Sequence, residues 1–161
     1  MARKEVSVAD YRDIWEVGRK AEADFQKCLV IMGAKIVSCP NGEAPGYPVA
    51  VDPGNDWEDQ NGVDRWLWIA EIGFWIPLDI TISTDPEYLA RKRAKCLERG
   101  IVMARFRRET LDLAAKGGVR YLRMVRKDLL AALRAWMPKV GDRLLTRQEV
   151  AAEAEALGVE I

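Results

Sequence analysis

Hydrophobic positions recur with a helical period over residues 7–33. At 100° per residue, an apolar stripe runs down one side of this segment. Its members are Tyr11, Trp15, Gly18, Phe25, Leu29 and Met32. Ser7-x-x-Asp10 resembles a capping box and Gly33 is a typical stop, so the pattern predicts one long helix. Glu22 falls inside the stripe, where a carboxylate is unexpected.

A second pattern, with a period of two, covers residues 63–70 and 74–83. Both runs are rich in β-branched and aromatic residues and meet at Gly73, which predicts an antiparallel hairpin. The second run alternates between two faces, with Phe74, Ile76, Leu78, Ile80 and Ile82 on one and Trp75, Pro77, Asp79, Thr81 and Ser83 on the other. Asp79 is therefore a carboxylate inside a mainly apolar strand.

The remaining segments complete an α/β order. Residues 34–38 predict a short strand, and residues 39–62, rich in glycine and proline, predict a loop. A helix over 86–99, stopped by Gly100, and a strand over 101–106 follow. Further helices are predicted over 109–116 and 119–137, the second ended by Pro138, and Thr146 opens a capping box for a terminal helix. This order indicates an α/β fold in a single domain spanning residues 1–161.

Composition narrows the class of protein. The 161 residues are 49% hydrophobic and 31% charged, which fits one soluble globular domain. Residues 1–5 lack a signal peptide's apolar core, and no apolar run approaches the ~20 residues of a membrane helix. We therefore expect a cytoplasmic protein without a membrane partner. Cys28, Cys39 and Cys96 have no CxxC spacing and are interpreted as reduced thiols.

The chain contains no histidine. This excludes Ser-His-Asp and Cys-His nucleophilic sites, His-ligated zinc and haem, and phosphodiesterases that use histidine as the general base. Any chemistry must therefore use carboxylates, lysines and hard metal ions.

The net charge of zero conceals a strong polarity along the chain. Residues 1–90 hold 8 basic and 16 acidic residues, residues 91–147 hold 17 and 5, and residues 148–161 hold none and 4. The net charges of these parts are −8, +12 and −4. Such polarity suits a protein that gathers carboxylates around cations in one part and meets a polyanion with another. Solvated helix faces of opposite sign would give the same pattern.

Three carboxylates stand where carboxylates are costly. Glu22 lies in the helical stripe, Asp79 lies inside the second strand, and the hairpin brings Asp64 close to Asp79. Carboxylates that converge without histidine suit Mg²⁺ or Mn²⁺, which prefer oxygen ligands. The alternatives are a paired Glu22 at the edge of the stripe and simple turn chemistry at Asp64. The predicted loop carries further acids, interpreted as solvated charges of which one could reach a metal: Asp52, Asp56, Glu58 and Asp59.

This order of elements and acids resembles the PD-(D/E)xK, or restriction-endonuclease-like, nuclease superfamily. The resemblance covers about residues 15–106. Gly18-Arg19-Lys20-Ala21-Glu22 matches the helix acid, Asn61-Gly62-Val63-Asp64 the first strand acid and Leu78-Asp79-Ile80-Thr81 the second. Val63 replaces the motif proline, and Thr81 replaces the motif lysine. The resemblance implies a core over about 7–106, with a central mixed β-sheet flanked by helices, and a basic helical extension over 107–161.

The same resemblance implies a divalent-metal-dependent nuclease that hydrolyses phosphodiester bonds and leaves a 5′-phosphate and a 3′-hydroxyl. Asp64 and Asp79 would hold Mg²⁺ or Mn²⁺, and Glu22 would hold a second metal or a metal-bound water. Members without the strand lysine take one from a neighbouring helix. Lys92 is accordingly the first candidate and Lys95 the second.

The basic half of the chain predicts contacts with nucleic acid, with DNA favoured over RNA. The candidate contact residues are Arg91, Arg93, Arg120, Arg123, Lys127 and Arg134. Five of the six tryptophans are expected in the core or in interfaces, whereas Trp57, in the predicted loop, is the candidate for stacking on a base. The oligomeric state stays open, a homodimer included.

Two other function classes fit parts of the pattern. One is a non-catalytic nucleic-acid- or protein-binding module on a decayed nuclease core, which Thr81 favours. The other is a carboxylate–metal fold that resembles ribonuclease H. That fold carries its first acid in an opening strand, whereas this chain begins with a long helix, so we rank it last.

Overall fold

The computed structural model describes the backbone of residues 8–159 and the side chains of residues 15–159. Its strands are β1 (Lys35–Ile36), β2 (Val49–Asp52), β3 (Arg65–Ile69), β4 (Trp75–Thr81) and β5 (Val102–Arg105). Its helices are α1 (Val8–Ile31), α2 (Asp56–Gln60), α3 (Pro86–Arg99), α4 (Arg108–Ala115), α5 (Val119–Val140) and α6 (Arg147–Ala156). The strands form one sheet in the order β1-β2-β3-β4-β5, flanked by the helices. The sheet is mixed, since β1 and β2 are parallel, β2, β3 and β4 are antiparallel, and β4 and β5 are parallel. The α/β prediction is confirmed.

The predicted hairpin is the centre of this sheet. β3 and β4 pair antiparallel, with Leu67 opposite Ile76 and Trp68 opposite Trp75. Every residue of β4 is buried, although only one face of the strand, with Ile76, Leu78 and Ile80, is entirely apolar, and the other carries Asp79 and Thr81. Asp79 faces α3, because its carboxylate meets Lys92 and Cys96 of that helix. One face of β4 is therefore apolar, whereas the other brings a carboxylate to α3.

Helix α1 forms as the sequence predicts, but its buried face is rotated. The predicted capping box at Ser7 and Asp10, and Tyr11 of the predicted stripe, lie outside the residues whose side chains are described. The core side of the helix is formed by Ala21, Phe25, Cys28 and Leu29. At 100° per residue this face is turned by about 40° from the predicted stripe. Trp15 is consequently 58% exposed, and Glu22 lies at the edge of the buried face rather than in its middle.

The prediction of a loop over 39–62 is wrong, because this segment contains β2 and α2. β2 is an internal strand, paired with β1 on one side and with β3 on the other. Ala50 and Val51 are fully buried in it. Pro48 and Pro53 flank the strand and therefore remove no hydrogen bond from its ladder. The density of prolines signals the ends of the strand, not its absence.

Helix α3 begins and ends as predicted. The Asp85 side chain accepts a hydrogen bond from the Glu87 N–H, and Gly100 ends the helix with a φ of +70°. Gly100 also lies under the chain that leads to α6. A Cβ at this position would lie 1.6 Å from the carbonyl oxygen of Arg143, and the Gly100 carbonyl accepts from the Leu145 N–H. Glycine is required here both by backbone conformation and by space.

The C-terminal helices pack onto the sheet and on one another. α4 lies against α1 and α5, and α5 lies against β5. The predicted end of α5 at Pro138 is wrong, since the helix continues to Val140, which is completely buried. Burial of this side chain favours the last turn although proline removes one hydrogen bond. No helix among the described residues has the length and apolar character needed to cross a membrane.

A buried ion cluster joins α6 to the sheet. Arg147 is 2% exposed, and its guanidinium contacts the carboxylates of Asp52 at the end of β2 and Glu58 in α2. The same guanidinium lies over the rings of Trp66 and Trp75, 5.4 and 5.7 Å from their centroids. Burial raises the pKa of Glu58, and the positive charge of Arg147 opposes that shift. The sequence does not predict this cluster.

We expect Arg147→Met to lower the free energy of unfolding by about 3–5 kcal/mol, because it leaves two buried carboxylates without their cation. Urea unfolding of the purified variant measures the loss. Arg134→Met, at an exposed arginine of α5, is the matched control and should change stability by less than about 0.5 kcal/mol. Adding Asp52→Asn and Glu58→Gln to Arg147→Met should recover part of the loss. Equal stability of the two single variants would contradict the prediction.

Candidate functional site

An open cleft of about 1230 Å³ lies where α1, the end of β4, the start of α3 and the start of α4 meet. Glu22, Asp59 and Asp64 lie on its wall, together with Lys92 and a group of arginines. The cleft is the place where the acidic first part of the chain meets the basic second part. It is therefore the candidate functional site.

Three carboxylates converge in this cleft. Glu22, Asp59 and Asp64 each offer one oxygen, and these three oxygens all lie within 4.8 Å of one another. Three negative charges at this spacing repel strongly unless a proton or a cation lies among them. The structure thus brings together two of the predicted metal ligands, Glu22 and Asp64. The third member, Asp59, was expected to be a solvated loop charge.

The donor set fits a hard divalent cation. All three groups are carboxylates, the ligands that Mg²⁺ and Mn²⁺ prefer. A Mg–O bond of ~2.1 Å places two ligand oxygens at most about 4.2 Å apart. The three oxygens lie within 4.8 Å of one another, so small side-chain rotations suffice to bring them to one ion. Exposed acidic groups also cluster without a metal, so this donor set defines a candidate site for a divalent cation.

Glu22 is held at the cleft by Arg65. The Arg65 Nη1 atom lies 4.0 Å from Glu22 Oε2, and the Arg65 Nε–H donates to Gln26 Oε1 at 2.8 Å. Arg65 also donates to the carbonyl of Asp64 at 2.7 Å. This arginine therefore ties α1 to the start of β3 and fixes two of the three acids relative to each other. Glu22 thus has a cationic partner, as the alternative of a paired side chain at the edge of the stripe predicted, although the partner is an arginine of β3.

Asp64 is the most constrained acid of the cluster. Its backbone N–H donates to the Leu78 carbonyl at 2.8 Å, and its Oδ2 accepts from the Ile80 N–H at 2.7 Å. Burial raises the pKa of the Asp64 carboxyl well above its ordinary value. The charge of Asp79 and the proximity of Glu22 add to the rise, and the Ile80 hydrogen bond opposes it. Without a cation, the fold therefore favours the protonated form of this carboxyl.

Asp59 reaches the cluster because α2 is anchored. Asn55 caps this five-residue helix by accepting from the Glu58 N–H at 2.9 Å. Glu58 is the buried side chain of the helix, and it is held by Arg147. The sequence signal was the run Asn55-Asp56-Trp57-Glu58-Asp59, a capping residue followed by acids of a first helical turn.

Asp79 lies beside the cluster rather than in it. Lys92 Nζ is 2.7 Å from Asp79 Oδ1, and the Cys96 Sγ–H donates to Asp79 Oδ2 at 3.5 Å. Burial lowers the pKa of Lys92, but the charge of Asp79 and its hydrogen bond outweigh this, so the pKa is raised overall. Burial and the Asp79 charge also raise the pKa of Cys96 to about 12. The role of Asp79 as a metal ligand stays a prediction.

The two candidate lysines differ in position. Lys92 lines the cleft, and its Nζ also donates to the Tyr88 hydroxyl at 3.3 Å. Lys95 is exposed and is not part of the cleft wall. Thr81 is buried at the cleft, where its hydroxyl accepts from the Ser83 N–H at 3.2 Å. Helix α3 thus contributes the ammonium of Lys92 to the cleft, whereas β4 carries Thr81 at the position of the motif lysine.

The predicted nucleic-acid-binding residues are exposed but do not line the cleft. Arg91 and Arg93 lie on α3, whereas Arg120, Arg123, Lys127 and Arg134 lie on α5. The arginines of the cleft wall are Arg19, Arg105, Arg107 and Arg108. The last three belong to the same basic half of the chain, at the junction of β5 and α4. The predicted contact residues and three of the cleft arginines thus come from the same basic half of the chain but are different residues, and the prediction of nucleic-acid contacts stays a prediction.

The fold and the cleft define an α/β protein with a carboxylate-lined cleft beside a partly buried lysine–aspartate pair. Comparison of this chain with models of protein families, with curated proteins and with solved structures gives no match. The role of each residue must therefore be inferred from its own contacts.

We expect Asp64→Asn to stabilise the protein at pH 8 when EDTA is present. A carboxyl whose pKa is higher in the folded than in the unfolded chain makes the unfolding free energy fall as pH rises above about 4. Asparagine keeps the shape and removes this dependence. The decrease in unfolding free energy between pH 5 and pH 8 should be smaller in the variant than in the wild type by at least about 1 kcal/mol, close to the equivalent of one pKa unit. Urea unfolding at the two pH values measures it, with exposed Glu71→Gln as the control. Identical pH slopes in wild type and Asp64→Asn would contradict the prediction.

Proposed function

We propose that this protein is a divalent-metal-dependent nuclease that hydrolyses phosphodiester bonds in this cleft. The observation that carries the proposal is the convergence of Glu22, Asp59 and Asp64 in the cleft that Lys92 also lines. Carboxylates, a lysine and nearby arginines are the groups that phosphodiester hydrolysis without histidine requires.

The order of elements supports the resemblance to the PD-(D/E)xK superfamily. A helix with an acid (α1), an antiparallel hairpin with two acids (β3 and β4), a helix (α3) and a parallel strand (β5) occur in this order, with β1, β2 and α2 between the first helix and the hairpin. Asp64 lies at the entry of the hairpin and Asp79 in its second strand, as the motif requires. The restriction-endonuclease-like core is therefore part of this proposal.

Each residue of the cleft has a distinct task in this proposal. Glu22, Asp59 and Asp64 would hold Mg²⁺ or Mn²⁺, with Asp79 next to them. The ion, when bound, supplies Lewis-acid activation of the phosphate and of a water molecule. Lys92 keeps its proton, because its pKa is raised, so it would orient the attacking water and stabilise negative charge on the phosphate rather than remove a proton. Arg105, Arg107 and Arg108 would bind flanking phosphates.

A second candidate is a nucleic-acid-binding module that does not cut. The observation that favours it is the Asp79–Lys92 pair, since an ammonium 2.7 Å from the carboxylate competes with a cation for that ligand. In this alternative Asp79 and Lys92 have a structural task, and the cleft binds phosphates without hydrolysis.

With Mg²⁺ or Mn²⁺ we expect cleavage that leaves a 5′-phosphate and a 3′-hydroxyl. Asp64→Asn should lower kcat by more than about 100-fold, because even changes next to metal ligands cost ~10–100-fold. Asp79→Asn should likewise abolish cleavage while the fold is kept. End-group analysis of labelled oligonucleotides measures both, with Glu71→Gln as a control of normal activity. Inert wild-type protein on single-stranded, duplex and branched DNA and on RNA, with both metals, would favour the binding module.

Lys92→Ala should lower kcat by about 100- to 1000-fold, the usual effect of removing a charge-stabilising donor. Lys95→Ala, one turn away and exposed, is the matched control and should keep near-normal kcat. Thr81→Lys in the Lys92→Ala background should restore part of the activity, since it returns the ammonium to the motif position. A loss in Lys95→Ala with normal Lys92→Ala would contradict the assignment. Unfolding midpoints of all variants separate loss of activity from loss of fold.

A further inference from the structure

The α1 face that carries Glu22 also carries an exposed tryptophan. Trp15, Gly18, Arg19 and Glu22 have the i, i+3, i+4, i+7 spacing of one helix face, and all four line the cleft. The Trp15 ring is 58% exposed, far more than any other tryptophan of the chain. Trp57, the predicted stacking residue, is instead packed against the core. An aromatic residue other than the predicted one is thus exposed in the cleft.

Arg19 fixes this ring and leaves part of it open. Its guanidinium lies 4.1 Å from the centroid of the Trp15 ring, the distance of a stacked cation–π pair. Trp15 stays 58% exposed beside this guanidinium, so part of the indole surface is accessible to another planar group. Tyr88, 40% exposed, lies on the cleft wall as well.

Three arginines of the cleft wall form no ion pair with any carboxylate of the described side chains. Within residues 15–159, no carboxylate lies within ion-pair distance of Arg19, Arg107 or Arg108. Arg105 donates to the Ser83 carbonyl at 2.9 Å and keeps its charge. A ligand that satisfies these groups must combine several negative charges with a planar ring. Phosphates joined to unpaired bases have that combination.

We propose that the cleft binds an unpaired nucleic-acid strand, with one base stacked on Trp15 and phosphates on the cleft arginines. The proposal rests on the proposed function, since it names the substrate class of the same site. Trp15 and Glu22 are seven residues apart, about 10 Å along the helix, which an unpaired strand spans with a few nucleotides. The stacked base therefore lies a few nucleotides from the scissile phosphate. In a duplex each base is already stacked and paired, so its ring is not available to Trp15.

Binding of labelled oligonucleotides, measured by fluorescence anisotropy in EDTA, tests the proposal without requiring cleavage. The probes are a single-stranded 12-mer of dT, a 12-mer of U, a 12-base-pair duplex and inorganic polyphosphate. We expect the single strands to bind at least 10-fold more tightly than the duplex and polyphosphate. The comparison of dT with U decides between DNA and RNA, and a preference for either supports an unpaired strand.

Trp15→Ala should weaken single-strand binding by a factor of about 5 to 100, the usual effect of removing one base-stacking ring. Trp15→Phe should restore most of the affinity. Tyr47→Ala is the matched control, because Tyr47 is a 43% exposed aromatic residue outside the cleft wall. In cleavage assays, Trp15→Ala should raise KM and leave kcat nearly unchanged.

The outcomes separate this proposal from the proposed function. Equal affinity for single strand, duplex and polyphosphate, or unchanged binding by Trp15→Ala, overturns the stacking site even if the protein is a nuclease. Single-strand preference that depends on Trp15, in a protein inert with both metals, supports the stacking site and overturns hydrolysis.

Discussion

A single buried cation, Arg147, is the constraint on which the arrangement of the cleft depends. Its guanidinium joins the end of β2, helix α2 and the start of α6 across the rings of Trp66 and Trp75. An ion pair removed from water gains little free energy by itself, but it becomes costly to break once both charges are buried. The cluster therefore adds little net stability, but it fixes the position of α2 relative to β2, because any other position would leave a buried charge without its partner. Asp59, the neighbour of Glu58, follows that arrangement into the cleft.

The sequence predicts best those elements whose signals are local. The hairpin, α3 with its Asp85 cap and Gly100 stop, and the strand after it follow from periodicity and capping alone. It fails where a long-range contact decides. β2 is four residues long and becomes a strand because two neighbours pair with it, and α2 is held by an arginine 89 positions away. The convergence of Glu22 with Asp64 could be predicted, whereas the approach of Asp59 could not.

The rotation of α1 shows how a small angular error changes the chemistry assigned to a helix. With Phe25 and Cys28 at the centre of the buried face, Trp15 moves from core to surface and Glu22 from a buried position to the edge of a cleft. The apolar stripe was defined with Trp15 counted as a core residue. An exposed tryptophan still counts as hydrophobic in a periodicity analysis, so it shifts the direction assigned to the buried face towards itself. Exposed aromatic residues therefore bias the pattern that is used to locate the core.

The crossing at Gly100 limits where the length of this chain can vary. The Gly100 carbonyl accepts from Leu145, and Arg147 enters the buried cluster two residues later. Gly100 ends the helix that bears Lys92, and its carbonyl binds the N–H of Leu145. Only Thr146 lies between Leu145 and Arg147, the arginine that holds α2. An insertion or deletion between these two points would shift either the crossing or the guanidinium, and both positions are sterically closed. Related chains with the same cleft should therefore keep this spacing and show their length differences at exposed turns such as the one at Gly117.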